Sequence, residues 1–370
     1  MNANHRQTPA YLRVYGQLRA QIRGGVYKAD DRLPSKRNLA ERHGVSVITI
    51  EHALALLAEE GYIQPRQRSG CYVIYREADG FAADASAPAA PVLPAYDFDR
   101  ETALPFGVVA RAMRRTLSEY GEAILTKAPN SGCGILRREL SKYLLRSRGI
   151  QADPEQIVIG SGAEYLYGLI VETLGRDLTY ALESPSYEKI EQVYRARGVR
   201  CELLPLGRDG IEPEALAGAS ADVLHITPYR SYPSGVTASA SRRRDYILWS
   251  ERGARWIVED DFESEFTPLR KPEETLFAQS PGGRVIYLNT FSMTVSPSLR
   301  AGYMVLPSAL LPLYQERVGF YSCTVPAFEQ YVLADLIARG DFERHINRVR
   351  RRKRRQSEEA SKIRSAAQPR

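Results

Sequence analysis

Two stretches of this 370-residue sequence combine residue types and spacings that could do chemistry. In GSGAE, residues 160–164, a glycine-containing turn stands between an apolar strand-like run and a helical one. Gly162, Ala163 and Glu164 would then sit where free backbone N–H groups and the helix dipole favour a phosphate. By itself such a turn is more often a structural loop than a site. The second stretch is YIQPRQRSGCYVIYR, residues 62–76, where Arg66 and Arg68 flank a turn between two short strand-like runs. Guanidinium groups there could reach the phosphates or the minor groove of duplex DNA. Cys71, Cys133, Cys201 and Cys323 share no metal-ligand or disulfide spacing, so no metal site is expected and a reducing compartment is implied.

The elements preceding Arg66 and Arg68 make the DNA reading specific. Pro9 can open a helix in which Leu12, Tyr15, Leu18 and Ile22 recur at three- and four-residue spacing until Gly24 and Gly25 stop it. A second helix from about Ser35 to Arg42 has Ser35 as its cap and Gly44 beyond its end. A third begins at Ser46, turns Ile50, Leu54 and Leu57 inward, and ends at Gly61. Two short helices joined by a tight turn and followed by a basic hairpin are the parts of a winged helix-turn-helix. The alternative is a three-helix module used only for packing or dimerisation.

Composition bounds the rest. A hydrophobic content of 44% with 26% charged residues is that of a globular protein, and the length suggests two domains. No apolar run approaches the roughly 20 residues of a membrane span, and the N-terminus has no apolar core of a secretion signal, so a cytoplasmic protein with no membrane partner is expected. The net charge of +7 includes a dense run at Arg344 to Arg355, which reads as a solvated helix face or a tail. Residues 77–95, rich in Ala and Pro, read as a linker between a DNA-binding domain at 8–76 and a second domain at 96–370. In that domain QIVIGSG, VLHITP, RWIVEDD and RVIYLNTF alternate with amphipathic stretches, the pattern of an α/β fold with a mainly parallel sheet.

The stretch RLPSKRNLAERHGVSVITIEHALALLAEEGYIQPRQRSGCYV resembles the DNA-binding domain of the GntR family of bacterial regulators. The resemblance implies that Ser35, Lys36, Arg37, Ser46, Thr49, Arg66, Ser69 and Gly70 face DNA. Val47 stands where that family usually carries arginine, so one base or phosphate contact is expected to be lost. Farther on, the order of GSGAEYL, ESPSYE, TPYRSYPSG, IVEDDFESEF and TFSMTVSPSLRAGY resembles the fold-type I aminotransferases that use pyridoxal phosphate, in the version fused to a GntR domain in the MocR subfamily. From this resemblance Gly162, Ala163, Glu164, Ser292 and Arg300 would hold the cofactor's phosphate, Arg300 as a bidentate fork. Tyr187 would stack on the ring, and Asp260 would pair with its protonated nitrogen.

The same resemblance exposes departures. Met293 occupies the position of the lysine that ties the cofactor covalently, and a thioether cannot form an imine. Lys189 and Lys271 do not occupy that position, Phe262 replaces a tyrosine, Tyr232 an asparagine, and Glu164 a common glutamine. The family's C-terminal small domain is expected to be largely absent. Transamination is therefore not expected, and no catalytic residue is assigned. The reading is a DNA-binding regulator, a homodimer on a double-stranded operator. Its second domain either takes a small effector, such as pyridoxal phosphate or its amino-acid adduct held without a covalent bond, or serves only as a dimerisation scaffold. An aminotransferase with an accessory DNA-binding domain is the alternative.

Overall fold

The computed structural model describes residues 9–66, 69–76, 102–261, 264–267, 273–280 and 282–366. The expected linker at 77–95, together with Arg68, Phe262 and Lys271, lies outside the described residues. The chain divides into two compact units, with the division between Pro94 and Ala95.

The first unit contains α1 (Ala10–Arg23), α2 (Lys36–His43), α3 (Val47–Glu59), β1 (Ile63–Arg66) and β2 (Gly70–Val73). Pro9 caps α1, and Gly24 ends it. The buried face of α1 differs from the expected one: Val14, Leu18 and Ile22 are buried, whereas Leu12 is 37% exposed. Four-residue steps place these three side chains on one stripe, while Tyr15 keeps its hydroxyl at the surface and donates to Glu60 at 2.5 Å. Ser35 Oγ caps α2 by accepting from the Asn38 N–H at 3.3 Å. Gly44 ends that helix at φ 62°, a conformation that costs glycine little. Ser46 Oγ in turn accepts from the Thr49 N–H at 3.2 Å and opens α3 only three residues after α2 closes. Ile50, Leu54 and Leu57 of α3 are buried as expected, in a core closed by Ile63 and Val73 of the antiparallel hairpin.

The second unit is built on an eight-stranded sheet of β3 (Ile157–Gly160), β4 (Thr179–Ser184), β5 (Arg200–Gly207), β6 (Gly210–Ile211), β7 (Val223–Ile226), β8 (Trp256–Asp260), β9 (Val285–Thr290) and β10 (Gly302–Val305). Its order is β3-β10-β9-β8-β7-β4-β5-β6. Pairings among β4, β5, β7, β8 and β9 are parallel, and β10 runs antiparallel between β9 and β3. The four runs singled out as strands are β3, β7, β8 and β9. Apolar side chains pack on both faces, which is why these strands read as continuous rather than alternating apolar runs. Helices α4 (Phe106–Tyr120), α5 (Gly134–Arg148), α6 (Ala163–Leu174), α7 (Glu188–Ala196), α8 (Pro213–Gly218), α9 (Ala240–Arg252), α10 (Leu276–Gln279), α11 (Leu311–Arg317), α12 (Ala327–Ala338) and α13 (Asp341–Ala366) complete the unit. The basic run lies on α13. That helix buries Phe342, His345, Ile346 and Val349 and leaves Arg344, Arg348, Arg351 and Arg355 exposed, a half-solvated helix rather than a tail. Among the described residues no helix is long and apolar enough to cross a membrane.

The corrected face of α1 has a measurable consequence. Leu18→Ala removes a fully buried side chain and is expected to cost about 2–5 kcal/mol, whereas Leu12→Ala stays within about 0.5 kcal/mol of wild type. Chemical denaturation of the two variants, followed by circular dichroism, checks this. Equal losses would restore the expected stripe.

Candidate functional site

The first unit presents a basic and partly apolar face around the start of α3. Val47 and Ile48, in its first turn, are 39% and 64% exposed, and Arg37 of α2 is exposed. The eight positions expected to face DNA are not equally available. Ser35 and Ser46 spend their hydroxyls as caps, and Lys36 Nζ donates to Glu51 of α3 at 2.8 Å. The Thr49 hydroxyl is shared with Ser46 at 2.9 Å. In the hairpin the Arg66 guanidinium lies 4.3 Å from the centroid of the Tyr72 ring, and the Ser69 hydroxyl meets that of Tyr72 at 2.7 Å. Gly70, at φ 114°, holds a backbone conformation that strains any other residue, and a Cβ there would crowd Arg32 Nε at 3.1 Å. Tyr72 thus contacts the Arg66 guanidinium, a partner the sequence reading missed.

In the second unit the carboxyl ends of the parallel strands meet at a cavity of about 330 Å³, within the range of small-molecule sites. All the positions expected around the cofactor come together there or beside it: Ala163, Glu164, Tyr187, Asp260, Ser292 and Arg300 line the wall, and Gly162 caps α6. Met293 lines the same wall and packs against the apolar core beneath.

At the base of the cavity, Asp260 ends β8 and is 6% exposed. Tyr167 of α6 donates its hydroxyl to Asp260 Oδ2, and His225 Nε2 of β7 lies 3.6 Å from the same oxygen. His225 Nδ1 meets the Tyr194 hydroxyl at 2.8 Å, and Tyr194 in turn stacks on Tyr167 at 5.7 Å. Burial, followed by the charge of Asp260, holds the Tyr167 phenol well above its ordinary pKa, so it remains a proton donor to that carboxylate. Sequence reasoning found Asp260 but not Tyr167, His225 or Tyr194. The available signal was a lone histidine in the apolar run VLHI.

A second carboxylate, Glu265, also lines the cavity and accepts from Asn289 Nδ2 at 2.7 Å. Its pKa is pushed up to about 7, chiefly by complete burial and then by the charge of Asp261. At the mouth, Tyr187 and Tyr232 stand edge to face with ring centroids 6.0 Å apart. The loop that carries Tyr232 is pinned by buried Glu183, which accepts from Thr227 Oγ1 at 2.6 Å and Ser231 Oγ at 3.0 Å.

At the opposite end lies the start of α6. The first N–H groups of a helix have no partner within it. Arg300, held in the left-handed region at φ 45°, brings its guanidinium over Gly162, where a Cβ would lie only 3.1 Å from Nη2. The carboxylate of Glu164 sits between two cations, 3.7 Å from Arg300 Nη2 and 3.4 Å from Lys189 Nζ.

Residues 10–73 match the family described as bacterial regulatory proteins, gntR family. The probable rhizopine catabolism regulatory protein MocR of Rhizobium meliloti is 30% identical over 368 residues, covering 93% of this chain and 74% of that protein. The HTH-type pyridoxine biosynthesis transcriptional regulator PdxR of Corynebacterium glutamicum is 28% identical, covering 94% of this chain and 77% of that protein. Among solved structures, the α-aminoadipate aminotransferase LysN of Thermus thermophilus, complexed with N-(5'-phosphopyridoxyl)-L-leucine, superposes with a TM-score of 0.59 at 28% identity. That match covers 67% of this chain and 64% of the enzyme, so the chain spans a little less than two thirds of that enzyme's length.

The buried Glu265 generates a pH prediction. A carboxyl whose folded pKa is raised stabilises the fold fully below the unfolded value near 4.5 and loses that contribution as pH rises through about 7. Glu265→Gln keeps an acceptor for Asn289 but cannot ionise. Its thermal midpoint is expected to fall less than that of wild type between about pH 5 and about pH 8. Parallel pH profiles of the two proteins would contradict this. Glu259, also pushed up to about 7 by burial, keeps part of the slope in both.

Proposed function

The chain belongs to the MocR-type branch of the GntR family of bacterial transcriptional regulators, and from that premise we propose that it binds operator DNA as a cytoplasmic homodimer whose aminotransferase-like unit takes a small effector. The observation that carries the DNA reading is a recognition helix, α3, capped by Ser46 immediately after the Gly44 turn and exposing its first residues. In such a unit the N-terminal side chains of the second helix meet base edges in the major groove. Arg37 and Arg66 supply charge for phosphates, and Val47 and Ile48 offer methyl surface at the bases. A dimer agrees with the two half-sites that helix-turn-helix proteins commonly read.

For the cavity, the fit to a pyridoxal-type compound is uneven. Such a ring, when bound, supplies an electron sink that depends on a protonated ring nitrogen. Asp260, backed by Tyr167 and His225, is suited to hold that nitrogen's proton, and Tyr187 is placed to cover the ring. Met293 provides no amine at the position of the family's lysine, so neither that covalent tether nor amino-group transfer is supported. The phosphate end does not fit as it stands, because the Glu164 carboxylate already lies against Arg300 and Lys189.

Two experiments test this reading. Arg37→Ala is expected to weaken DNA binding across sequences and to reduce the slope of log affinity against log salt by about one unit, while Val47→Arg tightens binding. Unchanged affinity and slope for Arg37→Ala would remove that residue from the interface. For the cavity, borohydride treatment with pyridoxal, whose neutral hydroxymethyl arm does not compete with Glu164, is expected to leave the cavity of wild type unlabelled and to fix the compound at residue 293 in Met293→Lys, as read by peptide mass. A labelled wild-type cavity would show that another amine does the lysine's work. An unlabelled Met293→Lys variant would favour the scaffold reading.

A further inference from the structure

We infer that Glu164 is a resident anion in the seat a phosphate would take, and that this cavity selects a pyridine-type amine without a phosphate over its 5'-phosphorylated form. The inference rests on the reading that the cavity takes a pyridoxal-type ring, and it specifies which form of that ring fits.

The first support is geometry. Glu164 lies in the first turn of α6, where a negative side chain already interacts favourably with the helix dipole. Its two oxygens divide between the two cations on the wall: Oε1 is 3.4 Å from Lys189 Nζ and Oε2 is 3.7 Å from Arg300 Nη2. The nearby Tyr187 phenol and then Glu164 hold the Lys189 ammonium above its ordinary pKa, so it stays charged. Such half-exposed pairs are individually weak. Their effect here comes from both cations sharing one carboxylate.

The charge on the wall provides the second support. Among the described lining residues the cations are Lys189 and Arg300, and the carboxyl groups are Glu164, Asp260 and Glu265. Two positive charges thus face three acids, and with Glu265 only partly ionised near neutrality the wall carries no net positive charge. A phosphate dianion would have to displace Glu164 and would leave its carboxylate without either cation. A ligand with a neutral hydroxymethyl arm asks for neither change. Its positive ring nitrogen and amine would still meet Asp260, Glu265 and the faces of Tyr187 and Tyr232.

The test is calorimetric titration of the full chain and of Glu164→Gln with pyridoxamine and pyridoxamine 5'-phosphate, which avoids any imine chemistry. Inorganic phosphate serves as a third probe, read by thermal shift. Wild type is expected to bind pyridoxamine at least as tightly as its phosphate ester. In Glu164→Gln the preference is expected to move toward the ester by about tenfold, and inorganic phosphate to stabilise the variant but not wild type. A wild type that prefers the ester by about tenfold, with the same preference in the variant, would overturn the inference. If neither pyridoxamine compound binds either protein, the ring reading fails and inorganic phosphate decides. Stabilisation of the variant alone upholds the resident-anion role, and equal response or no response in both proteins refutes it.

Discussion

Three acids follow one another at the end of β8, and the site depends on how the pleat separates them. Glu259 and Asp261 turn to one side and Asp260 to the other, as strand geometry requires. On the first side a single guanidinium, that of Arg148 from α5, lies 2.8 Å from Asp261 and stacks 4.6 Å from the centroid of the Tyr229 ring. The Tyr229 hydroxyl donates to Glu259 at 2.5 Å, and the backbone N–H groups of Leu276 and Phe277 also point to that carboxylate. These contacts hold two buried acids away from the cavity, although Asp261 Oδ1 keeps no hydrogen-bond partner among the described residues, and leave Asp260 free to face it. Were the Arg148 side chain removed, Asp261 would be left buried without its cation, which is costly in a low-dielectric interior.

Asp260 then draws its own partners from other strands and helices. Tyr167 comes from the helix that follows β3, and His225 from the strand beside β8. The carboxylate and the two groups that attend it thus come from three segments of chain far apart in sequence. Their convergence is a property of the parallel sheet, whose strands deliver their carboxyl ends to one edge. The position that most affects chemistry, Met293, is seated by the same architecture: the turn between β9 and β10 brings it to the wall, and the apolar core accepts its side chain.

The two units also differ in how legible they are. In the first, the stops and caps are local: Pro9, Gly24, Ser35, Gly44 and Ser46 act within a few residues of themselves, and the helices they bound agree with the sequence reading. The mistaken face of α1 shows the limit of that reading. Leu12 and Val14 are equally plausible members of an apolar stripe, and the choice falls to Val14 because α3 packs against the line through Leu18 and Ile22. The partners of the DNA-facing candidates were equally hidden. Nothing near Lys36 in sequence announces Glu51, and nothing near Arg66 announces that the Tyr72 ring would lie beneath it.

What the sequence determined by itself was the kind of chain this is: the winged helix-turn-helix signals, the mainly parallel α/β pattern, and the absence of an amine at position 293. Those features rest on local backbone preferences, on the period of apolar residues, and on side-chain identity. The tertiary structure alone decided that Glu164 would sit between Lys189 and Arg300, that Tyr167 and His225 would attend Asp260, and that Glu265 would be buried on the cavity wall. Charge balance and desolvation depend on distances between groups that the chain carries far apart. Only folding brings them within a few ångströms, where electrostatic interactions become strong.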